Sequence, residues 1–401
     1  MPRDNKFKQY HLPIRESIFD HPAYDDEAIK KMALGDLDRD MYASRGNIFA
    51  KARRKNASGS PVKHWSLQGS DESIGLFGGD GSNGDLLIRS GTTTLDLGSA
   101  PFYIRNYNRI EISGTGSLAF SNPNNNGTII LLKSRFDCIL TSTATALIDC
   151  NSLGGAAGPA PGINTPGLDG RNAIGTTNEI DAGNGGGVGQ SGAGTTGASG
   201  SGGTPVLYAL NISGKAIKIA PGSGSGSGGG GAAGSGGNGG AGAIAGGALN
   251  IECGGRLNFT GTIRANGANG SNGTNATSGG GGGGGGGAAG GCIAIVYNNL
   301  LANTGTLTTN GGNGGNGGNG ADDGAGSKSG GGGAGGGANR FSGGAGGTGT
   351  TTTGNNGSTG SGTGGGTGGT GGALGGNSGG GGGGGGGSGG DSYVVSNTEF
   401  S

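Results

Sequence analysis

The sequence predicts a mostly β protein. It should have a short helical segment near the N-terminus, a β-solenoid-like or β-sandwich middle, and a bundle of polyglycine II-type segments on returning β-strands. Three observations predict this. Glycine supplies 111 of the 401 residues, against about 7% in an average chain. Short β-rich runs recur at regular spacing before the glycine-rich part. Two strand-like runs are then repeated at one fixed offset within it.

The composition excludes several classes of protein. Glycine does not recur strictly at every third position along the chain, so the sequence is not collagen. Lys and Arg (25) balance Asp and Glu (25), which argues against charge-driven disorder. The same balance argues against a surface for nucleic acid or anionic membrane.

The N-terminal sequence is charged and interrupted by proline, so we expect neither a secretory signal nor, further along, a membrane-inserted helix. The four cysteines are expected to be buried free thiols, because they lie in apolar runs without paired spacing. We expect no metal site and no cofactor, since the three histidines lie far upstream. The residues concerned are Cys138, Cys150, Cys253, Cys292, His11, His21 and His64.

Residues 1–72 carry nearly half of the charged side chains. Acidic residues, lysines and a final glycine over 25–35 predict a short helix, and a second helix is expected over about 36–55. The basic cluster 51–55 is interpreted as a solvated helix end rather than a nucleic-acid contact. We expect residues 1–72 to be an attachment segment.

Residues 73–150 contain runs of three to five apolar and β-branched residues, separated by Gly- and Asn-rich turns. Alternation such as Ile110/Ile112 and Leu95/Leu97 favours strands. A solenoid-like arrangement is favoured over a sandwich, because two-residue Asn-Gly hairpins are missing between the runs.

Residues 151–401 form the glycine-rich region, with strands expected near 206–219, 248–264, 292–309 and 393–395. The run from Leu249 to Ile263 matches the run from Ile293 to Leu307, and both ends are offset by 44 residues. Each repeat is therefore a pair of strands followed by a glycine-rich excursion that returns to another strand.

A glycine tract is a random coil unless something orders it. Residues 311–319 have a period of three, as in polyproline II-type helices, which places Asn on one edge and glycine on the others. Such helices have no internal hydrogen bonds. In a bundle, their backbone amides and carbonyls would form hydrogen bonds with neighbouring helices. The unbroken runs 279–287 and 379–387 suit interior positions.

The side chains that interrupt the glycine are expected to lie at turns, where receptor contacts would be made. The candidates are Asp169, Arg171, Asp322, Asp323, Lys328, Asn339, Arg340 and Phe341. An aromatic residue beside arginine is a plausible contact pair. For each of them a plain turn or local anchor is the alternative.

Long glycine runs, Gly-Gly-Asn triplets and short returning strands over roughly 220–391 resemble the glycine-rich domains of bacteriophage tail-fibre tip adhesins. The resemblance implies stacked polyglycine II helices whose distal loops bind a host surface receptor, protein or glycan. It also implies a virion location. The resemblance does not extend to residues 1–150, and contacts of residues 1–72 with other virion or fibre proteins are our own expectation, with a homo-oligomer as one option.

Three alternatives remain open. A capsid or tail decoration protein would have the same build without a receptor. An ice-binding protein would need a regular Thr array on a flat face. A polysaccharide depolymerase would need paired carboxylates, such as Glu179 with Asp181, or Asp137 and Asp149. A triad is not expected in the glycine region because no histidine follows His64.

Overall fold

The computed structural model describes part of the chain. The described ranges are 37–44, 47–54, 77–173, 182–190, 196–203, 210–212, 215–217, 219–232, 235–322, 324, 326, 328–339, 341–362 and 364–397. The chain forms two compact units, Met1–Gly75 and Leu76–Ser401. The strands of the described residues lie mostly in parallel sheets, and these residues contain no α-helix.

The first unit contains an antiparallel pair, β1 (Leu37–Ser44) and β2 (Asn47–Arg54). The helix expected over about 36–55 is therefore wrong. Gly46 lies at the middle of this stretch of sequence, where glycine disfavours a helix and suits a turn between two strands. The short helix expected over 25–35 lies outside the described residues.

The described part of the second unit contains fifteen strands, whose bounds follow in chain order. They are β3 (Asp85–Ile88), β4 (Thr92–Asp96), β5 (Phe102–Tyr107), β6 (Arg109–Ile112), β7 (Ser117–Ser121), β8 (Ile129–Ser134), β9 (Cys138–Leu140), β10 (Ile148–Asp149), β11 (Leu210–Ile212), β12 (Lys215–Ile217), β13 (Ala248–Phe259), β14 (Thr262–Arg264), β15 (Cys292–Asn303), β16 (Thr306–Thr308) and β17 (Asp391–Ser396). Among these fifteen, only β11 and β12 pair antiparallel. The other thirteen pair in parallel.

The parallel strands form three ladders that the chain visits in rotation. The first ladder holds β3, β6, β9 and the second halves of β13 and β15. The second holds β4, β7, β10, β14 and β16. The third holds β5, β8, the first halves of β13 and β15, and β17. We call the three ladders together the strand stack.

The 44-residue repeat is one circuit of this stack. Leu249 pairs with Ile293 in the third ladder, and Ile263 pairs with Leu307 in the second. Alternate side chains of the ladders meet in one apolar core. Its fully buried members include Ile110, Leu118, Leu140, Ile148, Ile251, Phe259, Ile263 and Ile295. Each such side chain contributes about 1.5–3 kcal/mol by leaving water. The four cysteines are free and buried, as predicted.

The glycine-rich excursions all leave the stack between a strand of the second ladder and a strand of the third. They run from β10 to β13, from β14 to β15 and from β16 to β17. Apart from β11 and β12, the described parts of the excursions are extended segments that run out from the stack and back. We call these segments together the glycine bundle, its end at the strands the proximal end, and its other end the distal end.

Lateral hydrogen bonds in the glycine bundle have a period of three. The amides of residues 281, 284, 287 and 290 donate to the carbonyls of residues 379, 382, 385 and 388. The amides of residues 283, 286 and 289 donate to the carbonyls of residues 229, 226 and 223. The amides of residues 282, 285 and 288 donate to the carbonyls of residues 274, 271 and 268. Successive residues thus bond in three directions, which is the repeat expected of a helix with three residues per turn.

Segment 279–291 also accepts hydrogen bonds from three further segments, so it has six neighbours. The donors are residues 312, 315 and 318, residues 331, 334 and 337, and residues 237, 240 and 246. Residues 279–287 and 379–387 are fully buried, as their unbroken glycine runs suggested. In segment 311–319, Asn313, Asn316 and Asn319 are exposed while Gly312, Gly315 and Gly318 are buried.

Glu111, on the first ladder, should make the stack sensitive to acid. Arg89 Nε and Arg109 Nη2 each lie 2.8 Å from its carboxylate, and Ser113 Oγ donates to it at 3.1 Å. The hydrogen bond from Arg89, chiefly, lowers the pKa of Glu111. A lowered folded-state pKa gives stability that is complete above the ordinary carboxyl pKa and is lost as pH falls through the lowered one.

We therefore expect the Tm of Glu111→Gln to fall less than the Tm of the wild type when the pH is lowered from about 5 to 3. Thermal melts at each pH measure this difference. Asp85→Asn is the control, because it removes one carboxylate from an exposed position at the start of β3. Parallel Tm profiles for wild type and Glu111→Gln would contradict the expectation.

Candidate functional site

The distal end of the glycine bundle gathers the turns that connect outgoing and returning segments. Hydrogen bonds between turns place them together: Gly279 N donates to Ala321 O, Lys328 N to Asn377 O, and Gly380 N to Thr352 O. The connections near 164 and 190 join the same end, because Asn164 N donates to Gly231 O and Ser329 N donates to Gln190 O.

Asp322 and Lys328 belong to one of these distal turns. Asp322 is exposed, and its Oδ1 accepts the amide of Gly324 at 3.0 Å, which stabilises the turn. Its side chain also lies against Gly376, where an added Cβ would come within 2.2 Å of it. Lys328 is 9% exposed, so its stem is buried where segment 328–339 begins.

Two further distal turns carry exposed side chains, and one of them, 374–378, lies against Asp322 through Gly376. In the turn 350–353, Thr350 Oγ1 donates to Thr353 O at 2.7 Å and pairs with Thr352 Oγ1 at 3.1 Å. In the turn 374–378, Leu374 is 47% exposed, and Gly375 and Ser378 exchange backbone hydrogen bonds at 2.9 Å. Among the described residues, these three distal turns therefore present a carboxylate, hydroxyls and the apolar side chain of Leu374.

Asn339 and Phe341 lie at the opposite, proximal end. Asn339 is buried, and its Nδ2 donates to Gly290 O at 2.7 Å and Ala220 O at 3.4 Å. Eleven residues separate Lys328 from Asn339, which at about 3.1 Å per residue is roughly 34 Å along the bundle. Phe341 is half-buried, with its ring against Gly362. The structure thus separates these two candidates from the distal ones.

Asp169 and Arg171 lie on an outer segment of the bundle, 167–173. Both are exposed, and Asp169 Oδ1 accepts the amide of Gly185 at 2.8 Å. Arg171 lies toward the proximal end, where its amide donates to Ala156 O. Asp323 and Arg340 lie outside the described residues.

A second candidate binding surface lies on the side of the glycine bundle. The sequence did not predict that its side chains form one continuous surface. Three adjacent outer segments, 266–276, 310–320 and 364–374, align their exposed side chains in rows. We call these side chains the polar ladder. Its members are Asn269, Asn272, Asn275, Asn313, Asn316, Asn319, Thr367 and Thr370.

The polar ladder is held by one repeated hydrogen bond. Asn269 Oδ1 accepts the amide of Asn313 at 2.8 Å, and Asn313 Oδ1 accepts the amide of Thr367 at 2.9 Å and its hydroxyl at 3.0 Å. The same links recur three residues later, through Asn272, Asn316 and Thr370. The signal in the sequence was the period-three asparagines of 266–275, which repeat those of 310–319 at the 44-residue offset.

The carboxylates considered for hydrolysis have structural partners where they are described. Asp137 Oδ2 lies 2.8 Å from Arg256 Nη2, and this hydrogen bond lowers the pKa of Asp137. Asp149 Oδ1 accepts the amide of Asn151 at 3.0 Å. Glu179 and Asp181 lie outside the described ranges.

Within the part of the chain that the structure describes, no group of three His, Cys, Asp or Glu side chains is arranged to hold a metal ion. The same residues include no helix with the length and hydropathy needed to span a bilayer. Comparisons with protein-family models, with curated proteins and with solved structures found no match.

Proposed function

We propose that this chain is a non-enzymatic structural protein of a phage virion, an adhesin of the tail fibre or tail tip. In this proposal the distal end of the glycine bundle binds a host cell-surface receptor. Residues 1–72 attach the protein to other virion proteins. The observation that carries the proposal is the collection of connecting turns at one end of a laterally bonded bundle.

The proposal includes the finer description of the fold. The strand stack is a parallel β-solenoid, supported by three ladders that the chain visits in rotation. The glycine bundle is a polyglycine II-type bundle, supported by the three-residue period of its lateral hydrogen bonds. The solenoid fixes the proximal ends, so the distal turns are displayed at a constant distance from it.

This arrangement suits receptor recognition because the residues that form the framework, in the inner segments, are separate from the residues that would contact a receptor, in the distal turns. Inner segments leave no room for side chains, whereas the distal turns can carry different residues without changing the bundle. Binding residues on loops held by a rigid scaffold are common in recognition proteins. Turns that are already ordered lose little conformational entropy on binding.

Leu374→Asp is expected to weaken attachment to host cells by about tenfold or more, because a charge would replace an exposed apolar contact at the distal end. Labelled protein bound to cells of a susceptible bacterial strain, measured by flow cytometry, gives the change. Leu301→Asp is the matched control, since Leu301 is 63% exposed on the strand stack.

Equal loss of binding in both variants would contradict the assignment of the distal end. A capsid or tail decoration protein without a receptor would bind no cells, even as the wild type. That result would overturn the adhesin proposal itself.

A further inference from the structure

The polar ladder runs along the side of the bundle toward the distal turns, and its amide side chains are exposed. Each asparagine Oδ1 is occupied by the amide of the neighbouring row. The Nδ2 groups of Asn269, Asn272, Asn313 and Asn316 make no hydrogen bond to the described residues. These groups are therefore donors available to a ligand.

The donors are also regularly spaced. Three residues separate successive members of a row, which corresponds to about 9.3 Å along the bundle. The rows lie side by side because residues at the 44-residue offset are hydrogen-bonded to each other. A ligand lying along the rows would meet the same set of donors at each repeat.

The chemistry of the surface limits the classes of ligand that it can bind. Segments 266–276, 310–320 and 364–374 contain no charged and no aromatic residue. An anionic polymer would find no cation here, and a peptide would find no pocket for a large side chain. The eight side chains of the polar ladder itself are Asn amides and Thr hydroxyls, which suit a neutral ligand rich in oxygen acceptors.

We propose that the polar ladder binds a linear, uncharged polysaccharide that lies along the bundle. Sugar hydroxyl, ring and glycosidic oxygens accept the Nδ2 hydrogens, and Thr367 and Thr370 extend the contact across the third row. Each sugar repeat adds the same few hydrogen bonds, so affinity grows with chain length. The site does not depend on the distal end or on the virion role.

The polar ladder is preorganised for binding. Ordering a side chain for binding costs about 0.5–1.5 kcal/mol when it is free beforehand. Here the Oδ1 hydrogen bonds already hold each asparagine.

The test is affinity gel electrophoresis of the full chain in native gels that contain a neutral polysaccharide. The polysaccharides are dextran, hydroxyethyl cellulose, galactomannan and a neutral O-polysaccharide purified from lipopolysaccharide. We expect at least one to retard the wild type, with stronger retardation by longer chains. Retardation by none of them would overturn the proposal.

The decisive variant is Asn313→Asp with Asn316→Asp. Aspartate keeps the oxygen that accepts the Thr367 and Thr370 amides but removes the Nδ2 donors. We expect apparent affinity to fall about tenfold or more, as several hydrogen bonds are lost. Asn269→Asp with Asn272→Asp makes the same test on the first row if the first variant does not fold.

The control is Asn184→Asp with Ser199→Asp, which adds the same charge on other exposed segments and should leave retardation unchanged. Equal loss in control and ladder variants would overturn the proposal. So would thermal hysteresis that the ladder variants abolish, because it would assign the surface to ice. Leu374→Asp should leave retardation intact, so failure at the distal end is distinguishable from failure here.

Discussion

Gly284→Ala should lower the Tm of the protein by roughly 5–10 °C, because a single methyl group cannot be placed inside the glycine bundle. A Cβ at this position would lie 2.0 Å from the carbonyl oxygen of Gly315. The obstacle is backbone in a neighbouring segment, so no side chain can rotate away. Segments would have to separate, which lengthens several lateral hydrogen bonds at once.

Scanning calorimetry of Gly284→Ala and Gly162→Ala makes the measurement. Gly162 is exposed, and the nearest atom to a Cβ there is Thr165 Oγ1 at 3.9 Å. Both variants change the unfolded chain in the same way, so their difference reports packing. Equal Tm values would show that the bundle is looser than its hydrogen bonds indicate.

Lys133→Met should destabilise the strand stack by about 3–5 kcal/mol, because it leaves a carboxylate buried without its cation. Lys133 pairs with Glu252 across β8 and β13. Lys133 Nζ lies 3.2 Å from Glu252 Oε2, and the two side chains are only 1% and 0% exposed. Gly78 N also donates to this oxygen, at 3.1 Å.

The double variant Lys133→Met with Glu252→Gln should recover most of that loss. It removes both charges and keeps an oxygen for the amide of Gly78. Chemical denaturation of both single variants and the double variant gives the coupling energy. If the double variant lost the sum of the single losses, the two groups would not stabilise one another.

The strands of the stack could be predicted because apolar alternation and a fixed offset are both visible in the sequence. Leu249 and Ile293 match in the printed sequence and are hydrogen-bonded neighbours in the fold. The period-three asparagines predicted an exposed edge on segment 311–319 for the same reason, since only residues with side chains mark a face.

The neighbours of each glycine segment could not be predicted, because a run without side chains carries no register and no complementary partner. Nothing in residues 279–287 specifies six neighbours. The placement of Asn339 at the proximal end depends on how many times the chain crosses the bundle, which the glycine runs do not encode. The helix expected over 36–55 was wrong because the charge pattern on which it rested is equally compatible with the antiparallel strands β1 and β2, and a glycine at position 46 disfavours a continuous helix.

The junction of the excursions with the strand stack has one further consequence. An excursion that leaves at the second ladder must come back to begin the third, so it contains an even number of segments. The shortest, 265–291, has one outward and one inward segment. A bundle of this kind can therefore grow or shrink only by hairpins. Losing a single segment would leave the chain roughly 35 Å from the strand it has to enter.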